Sequence, residues 1–309
     1  MDSTAHVVVI GSYAKALVMT ADRIPLAGET LVGRDYRQTY GGKGSDMAIQ
    51  AARLGAEVDF LGVVGADLFG DEFRELLTAE GISSDRTRVS ETRPTGVGFI
   101  IKDTDARNVI VVDMGANEEF SPDDIDQRLP RGRQNSVALA QLEVPLDTAL
   151  YGLRAAKDRG MRTILNPAPA VSLRGRTLEY VDILTPNESE ARVLLGLEPD
   201  DDISNEEVAR RLFDIGVKNV VITLGSKGSL IATPDKTLMV RPIPVDVVDS
   251  NGAGDSFNAA LAVGLSEEMN LEQASEFASA VSGLCCMDWE TVPSYKYRDE
   301  VYRYLELVE

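Results

Sequence analysis

From Asn135 onward the chain alternates short apolar runs with segments of helical pattern, and that rhythm restricts the fold more than any other feature. Strands are expected at Val137–Leu142, Thr163–Asn166, Asp182–Thr185 and Val220–Leu224, and helices near Leu146–Asp158, Glu188–Leu195 and Asn205–Ile215. Apolar strands that alternate with helices belong to a mostly parallel sheet covered on both faces, an α/β architecture.

The first half fits the same plan. Val7-Val-Val-Ile-Gly11 reads as a buried strand, Glu57–Gly65 as a second one, and Asp71–Glu80 as a helix. Gly41-Gly-Lys-Gly44 opens a helical pattern with Met47, Ala51 and Leu54 on one face. Two alternating runs, Gly96–Lys102 and Asn108–Met114, are joined by Asp103-Thr-Asp-Ala-Arg107 and read as a hairpin. With the turn-rich segment from Ser12 to Tyr40, this hairpin is expected to form a small separate sheet. The last part, Leu271–Met287 and Tyr297–Val308, reads as helical. At 309 residues, one large domain with a small accessory element accounts for the length.

Ligands of such sheets bind beyond the carboxyl ends of the strands. Strands here end in Gly11-Ser12, Asn166-Pro-Ala-Pro169, Thr185-Pro-Asn187 and Leu224-Gly-Ser226, unusual backbone where a site belongs. The most informative junction comes late. A β-branched run, Val245–Val248, reads as extended and breaks at Asn251-Gly252-Ala253-Gly254 before a helical stretch, Asp255–Leu265. Glycines at such a junction admit a close approach, and the free N–H groups of the first helical turn favour an anion. Asp255 lies in that turn. The plain reading is an ordinary first-turn acid. A carboxylate beside an anion hole, however, repels a stored anion; it makes sense as a base that takes a proton from a hydroxyl attacking a phosphoryl group.

Composition removes other chemistries. Lys and Arg number 31 against 50 Asp and Glu, a net charge of −19, which counts against nucleic acid or anionic membranes as partners. The single histidine, His6, lies just before the first strand, so histidine-based triads and polyhistidine metal sites are nearly excluded unless His6 takes part. Cys285 and Cys286 are adjacent, too close in sequence for a disulfide and without zinc spacing; they read as small buried hydrophobes in a reducing cytoplasm. No secretory leader and no apolar run of membrane-spanning length is visible, so a soluble, cytoplasmic protein is expected.

Over nearly its whole length the chain resembles the ribokinase-like (PfkB) family of sugar kinases. The resemblance is carried, in order, by Gly28-Glu-Thr30, Gly41-Gly-Lys-Gly44, Gly96-Val, Gly115-Ala-Asn117, Gln141-Leu-Glu143, Asn166-Pro-Ala-Pro169, Thr185-Pro-Asn-Glu188, Ile222-Thr-Leu-Gly-Ser-Lys-Gly228 and Gly252-Ala-Gly-Asp255. It implies a single kinase domain, residues 1–309: a three-layer, Rossmann-like fold with a β-sheet lid built from about 12–40 and 94–115. It also implies ATP and Mg²⁺ as cofactors and a homodimer formed through the lid. Asp255 is then the base, and Asn251, Gly252, Ala253 and Gly254 form the anion hole. Asn187 and Glu190 position Mg²⁺ through water, and Asn187, Thr223, Gly225, Ser226 and Gly228 face ATP. Gly42, Lys43 and Glu143 touch the sugar, with Ala14, Ala16 and Asp46 at further sugar positions, and Asp249 is a monovalent-cation ligand. Plain alternatives stand beside these: a solvated loop lysine for Lys43, and helix capping for Glu143, Asn187 and Glu190.

The chain departs from ribokinases in two places. Ala14 and Ala16 stand where those enzymes carry Asn and Asp, and Asp46 stands where they carry Asn. Alternation places both alanines on the ligand face and turns Lys15 away. Loss of a neutral and a charged hydrogen-bonding group costs roughly 2–4.5 kcal/mol, or about 30- to 1,500-fold in affinity. Ribose is therefore not expected as the best substrate; a deoxysugar, a nucleoside or another modified polyol is, unless another residue compensates. Asp46 repels sugar acids and sugar phosphates. The second departure is Met287-Asp-Trp-Glu-Thr-Val-Pro-Ser294, where the family has Arg and Gly-Ala, which puts potassium activation in doubt. Trp289 there reads as a packing residue, with stacking on adenine as the alternative. The expected activity is ATP-dependent phosphorylation of a hydroxymethyl group on a small neutral sugar. The alternatives are a nucleoside kinase and, in another class, a non-catalytic sugar- or nucleotide-binding regulator.

Overall fold

The computed structural model describes residues 4–103 and 107–308. The chain opens with β1 (His6–Ile10), β2 (Ala14–Thr20), β3 (Arg34–Gly41), α1 (Lys43–Arg53), β4 (Glu57–Gly65), α2 (Leu68–Ala79) and β5 (Thr87–Ser90). It continues with β6 (Gly96–Lys102), β7 (Asn108–Asp113), α3 (Pro122–Arg128), β8 (Val137–Ala140), α4 (Leu146–Asp158), β9 (Arg162–Leu165) and β10 (Ile183–Leu184). The remainder is α5 (Glu188–Leu194), α6 (Asn205–Phe213), β11 (Asn219–Thr223), β12 (Ser229–Ala232), β13 (Thr237–Val240), α7 (Ala253–Ser266), α8 (Leu271–Cys285) and α9 (Arg298–Val308).

Nine strands form the central sheet in the order β13-β12-β11-β10-β9-β8-β1-β4-β5. The pairs from β11 through β5 are parallel; only β11–β12 and β12–β13 run antiparallel. β1 shows why the sheet needs two covers. Its five residues are all buried, and their side chains alternate between faces. Val7 and Val9 join a core made with α1, α7 and α8, whereas Val8 and Ile10 join a second core that includes Ile125 of α3, Leu153 of α4 and Leu212 of α6. Met47, Ala51 and Leu54 of α1 are buried in the first core as the sequence spacing requires.

The hairpin and the early segment do make a second sheet, four strands in the order β3-β2-β6-β7. The residues from 104 to 106, within the expected hairpin connection, lie outside the described residues. Asn117 ties this sheet to the central one. Fully buried, it accepts from the Tyr13 N–H at 3.1 Å and donates to the Tyr13 and Met114 carbonyls, both at 2.7 Å.

Two readings of the sequence are corrected. Val245–Val248 is not a strand: β13 ends at Val240, and Pro242 and Pro244, which lack the N–H a ladder needs, leave the following run outside the sheet, with Val248 N donating to Cys286 O at 2.8 Å. Val247 and Val248 are exposed there. The hairpin β12–β13, with Thr233-Pro-Asp-Lys236 as its turn, and the short capped helix α3 went unread. Trp289 is not a packing residue; it is 55% exposed, with the Lys102 ammonium over its ring.

Phe73 of α2 holds the first core together near the chain's first crossover: it stacks on Tyr13 at 4.0 Å and meets Phe60 edge-on at 5.2 Å. Phe73→Ala should cost about 3–5 kcal/mol of stability. A chemical denaturation midpoint equal to that of the wild type would contradict this packing account.

Candidate active site

Two helices begin side by side beyond the carboxyl ends of the central strands. The first is α1. Gly44 in its first turn lies so close to the end of β1 that an added Cβ would stand 2.5 Å from Ser12 N and 2.7 Å from Gly11 C. Only glycine permits that approach. Glu143, just past β8, fastens the same turn: its Oε2 accepts the Ser12 hydroxyl at 2.6 Å and the Lys43 N–H at 2.7 Å. The capping alternative for Glu143, on the helix that follows it, does not hold: α4 has no side-chain cap, and Glu143 binds the start of α1 instead. Gln141 lies beneath, accepting from Glu143 N at 3.0 Å.

The second is α7, buried from Asp255 to Ser266. Gly252 enters it with φ +77, a left-handed conformation that suits glycine. No side chain caps this helix. Ala253 N donates to Ser250 O at 3.3 Å, while the Gly254 and Asp255 N–H groups have no protein acceptor among the described residues. A Cβ added to Gly254 would meet nothing within 4 Å. Open space in front of unpaired amides at a helix start is the geometry that takes a phosphate oxygen. Asn258, which sequence reasoning missed, anchors the turn: it donates to Gly254 O at 2.8 Å and accepts from the Thr185 hydroxyl at 2.5 Å. A polar residue inside an otherwise apolar helix was the available signal.

Asp255 and Lys43 face each other across the gap, Oδ1 to Nζ 3.8 Å. Burial pushes the Asp255 carboxyl up to about 6; Lys43 opposes that rise, and Glu143 and Glu190 add to it. Lys43 is held above the usual lysine range, first by Asp255 and against its own burial. It is not a solvated loop lysine. Asp46, one turn into α1, is 3% exposed, and its Oδ1 has no partner among the described residues. Burial first, then Asp255 and Glu143, drive its carboxyl well above the ordinary range.

Asn187 and Glu190 form a reciprocal capping box on α5: Asn187 Oδ1 accepts Glu190 N, and Glu190 Oε2 accepts Asn187 N, both at 2.8 Å. Asn187 also bridges Thr223 at the end of β11. Burial raises the Glu190 carboxyl, and Lys43 lowers it, so the two groups sense one another. Gly225, Ser226 and Gly228 follow in the turn between β11 and β12, where a Cβ on Gly225 would again find open space. These positions fit a nucleotide, with glycine-lined room beside exposed amide and hydroxyl groups. They also fit Mg²⁺ held through water. Its donors would be hard oxygens, and no cluster of three His, Cys, Asp or Glu forms an all-protein cage among the described residues.

Ala14 and Ala16 share one face of β2, and Lys15 points the opposite way to Glu72, Nζ to Oε2 2.5 Å. The expected alternation holds. Asp249 lies two residues before Asn251; its Oδ1 accepts the Asn251 N–H at 3.0 Å. His6 is remote from all of this. It opens β1 at the other end of the sheet, with its ring between Ser136 and Asp59. Cys285 and Cys286 are unpaired thiols, the first buried and the second partly so. No helix among the described residues is long and apolar enough to cross a membrane.

The chain is 34% identical over 298 residues to a ribokinase of Haemophilus influenzae, covering 96% of this chain and 97% of that one. It is 32% identical over 306 residues to a deoxyribokinase of Salmonella typhi, covering 98% and 99%. The structure of Arabidopsis thaliana ribokinase complexed with ribose and ATP superposes with a TM-score of 0.86 at 29% identity, covering 98% of this chain and 99% of that one. Residues 4–294 match the pfkB family carbohydrate kinases, and the chain belongs to that family of ATP-dependent kinases.

Proposed function

We propose that the enzyme transfers the γ-phosphoryl group of ATP to a hydroxymethyl group of a small neutral sugar, with Asp255 as the base. The observation that carries this reading is the buried Asp255 carboxylate, 3.8 Å from Lys43, in the same helical turn as two unpaired amides. The acceptor O–H gives its proton to Asp255 while its oxygen bonds to the γ-phosphorus; the bond to the β-phosphate oxygen breaks, and ADP leaves. The turn Asn251–Gly254 cradles the moving charge. Gly42, Lys43, Asp46 and Glu143 line the acceptor side; Asn187, Thr223, Gly225, Ser226 and Gly228 hold the nucleotide. Glu190 and Asn187 would hold Mg²⁺ through water, and the ion would offset phosphate charge. Phosphoryl transfer depends on such positioning and charge stabilisation. Residues 12–40 and 94–115 act as a lid that keeps water from the acceptor.

The acceptor reading rests on Ala14 and Ala16. Two methyl groups on the ligand face of β2 favour a sugar lacking a hydroxyl, and both a ribokinase and a deoxyribokinase are relatives. We therefore place 2-deoxyribose ahead of ribose, in an enzyme of the cytoplasm. The small sheet also carries an apolar outer face: Met19, Phe99, Val109 and Val111 share one side by register and are exposed. We assign it to a homodimer. Phe99→Glu should then halve the mass seen in sedimentation; a wild-type monomer would refute the assignment.

Asp255→Asn should leave nucleotide binding intact and lower kcat by roughly 10²–10⁴; activity near that of the wild type would remove Asp255 from the role. Because the base must be ionised, kcat/KM should rise with pH through about 6. Lys43→Met removes the charge that holds the Asp255 carboxyl down, so its acid limb should move to higher pH. A pH profile unchanged in that variant would contradict the pairing. Ala14→Asn combined with Ala16→Asp should raise kcat/KM for ribose relative to 2-deoxyribose; a flat or reversed ratio across a panel of sugars and nucleosides would overturn the acceptor reading.

A further inference from the structure

The small sheet meets the start of α7 through charged contacts that the chemistry above does not use. Lys102 closes β6, and its ammonium lies 3.7 Å from Asp249 Oδ2 and 5.7 Å from the centre of the Trp289 ring. Both charges are sheltered, the Lys102 side chain 16% exposed and that of Asp249 9%. Arg37 of β3 pairs with Glu290 at 3.0 Å, and the Thr291 hydroxyl donates to Tyr40 O at 3.2 Å. Each contact joins the small sheet either to Asp249 or to the loop at 289–291. Asp249 in turn shapes the entry to α7. Its Oδ1 accepts the Asn251 N–H, and its Oδ2 accepts the Asn251 side-chain amide at 3.3 Å and the Glu290 N–H at 3.2 Å.

The family resemblance gives Asp249 a monovalent cation, and the donor set here does not fit one. Alkali and alkaline-earth cations need a cage of oxygen atoms. The Asp249 carboxylate is surrounded by three N–H donors and an ammonium, none of which has a lone pair to offer. A second cation would also meet the charge of Lys102. We propose that the Lys102 ammonium is itself the cation of this position, a positioning residue that the small sheet delivers to Asp249. Without it, a bare sheltered carboxylate would stand beside amides meant for phosphate and repel their ligand. With it, docking of the small sheet and capture of the nucleotide phosphates are coupled. This inference rests on reading the α7 turn as the phosphate cradle.

The test is calorimetric titration with adenylyl imidodiphosphate and magnesium, at constant ionic strength, with choline, sodium, potassium or ammonium chloride as the bulk salt. Wild-type Kd should be the same in all four. Lys102→Met should bind about 10-fold more weakly in all four salts; Lys102→Arg, which keeps the charge, should behave as the wild type does. Potassium-dependent binding by the wild type would overturn the proposal, and so would a Lys102→Met variant that binds as the wild type does or that potassium restores. If Lys102→Met does not fold, the wild-type cation profile and Lys102→Arg decide. Failure of the wild type to bind the analogue in any salt would instead bring down the cradle reading, an outcome distinct from cation dependence.

Discussion

A carboxylate and an ammonium 3.8 Å apart, both largely withdrawn from water, occupy the point where α1 and α7 begin. Much of the architecture serves to bring those two helix starts together. Burying either charge alone costs several kcal/mol, and mutual attraction offsets that only when geometry is held fixed. The fixing is done from below. Gly44 lets α1 lie against the end of β1, Glu143 clasps its first turn, and the Thr185–Asn258–Gly254 relay holds α7 to the end of β10. None of these groups titrates in the chemistry proposed. They make the place where titration matters.

The electrostatics around that pair are weighted toward acid. Glu143, Glu190 and Asp46 all lie within reach of Asp255 or Lys43, and Lys15 is turned away to Glu72. Crowded carboxylates raise one another's pKa and thus the basicity of the one proposed to take the proton. An Asp held up to about 6 by burial is ionised at neutral pH yet a better base than a free aspartate.

The central sheet was legible because a strand buried on both faces shows as an apolar run, and β1, β4, β8 and β11 all do. Asp255 and its glycines were legible because a strained turn and a helix start leave a local pattern. Val245–Val248 misled because β-branched composition reports strand preference, while Pro242 and Pro244 decide whether a partner can be bonded. The contacts of Lys102 with Asp249 and of Asn258 with Thr185 left no trace that spacing reveals, since they join residues far apart in the chain. The same distance hid the partner of Trp289. Its side chain looked like core material, but the loop around it carries it to the surface, under a lysine from another sheet.

The most direct measurement is a crystal structure with a non-hydrolysable ATP analogue, magnesium and the best acceptor bound. The account predicts the acceptor hydroxyl within hydrogen-bond reach of Asp255 and in line with the γ-phosphorus, whose oxygens meet the amides of the α7 turn. A terminal phosphorus far from that carboxylate, with no room for an acceptor between them, would contradict it.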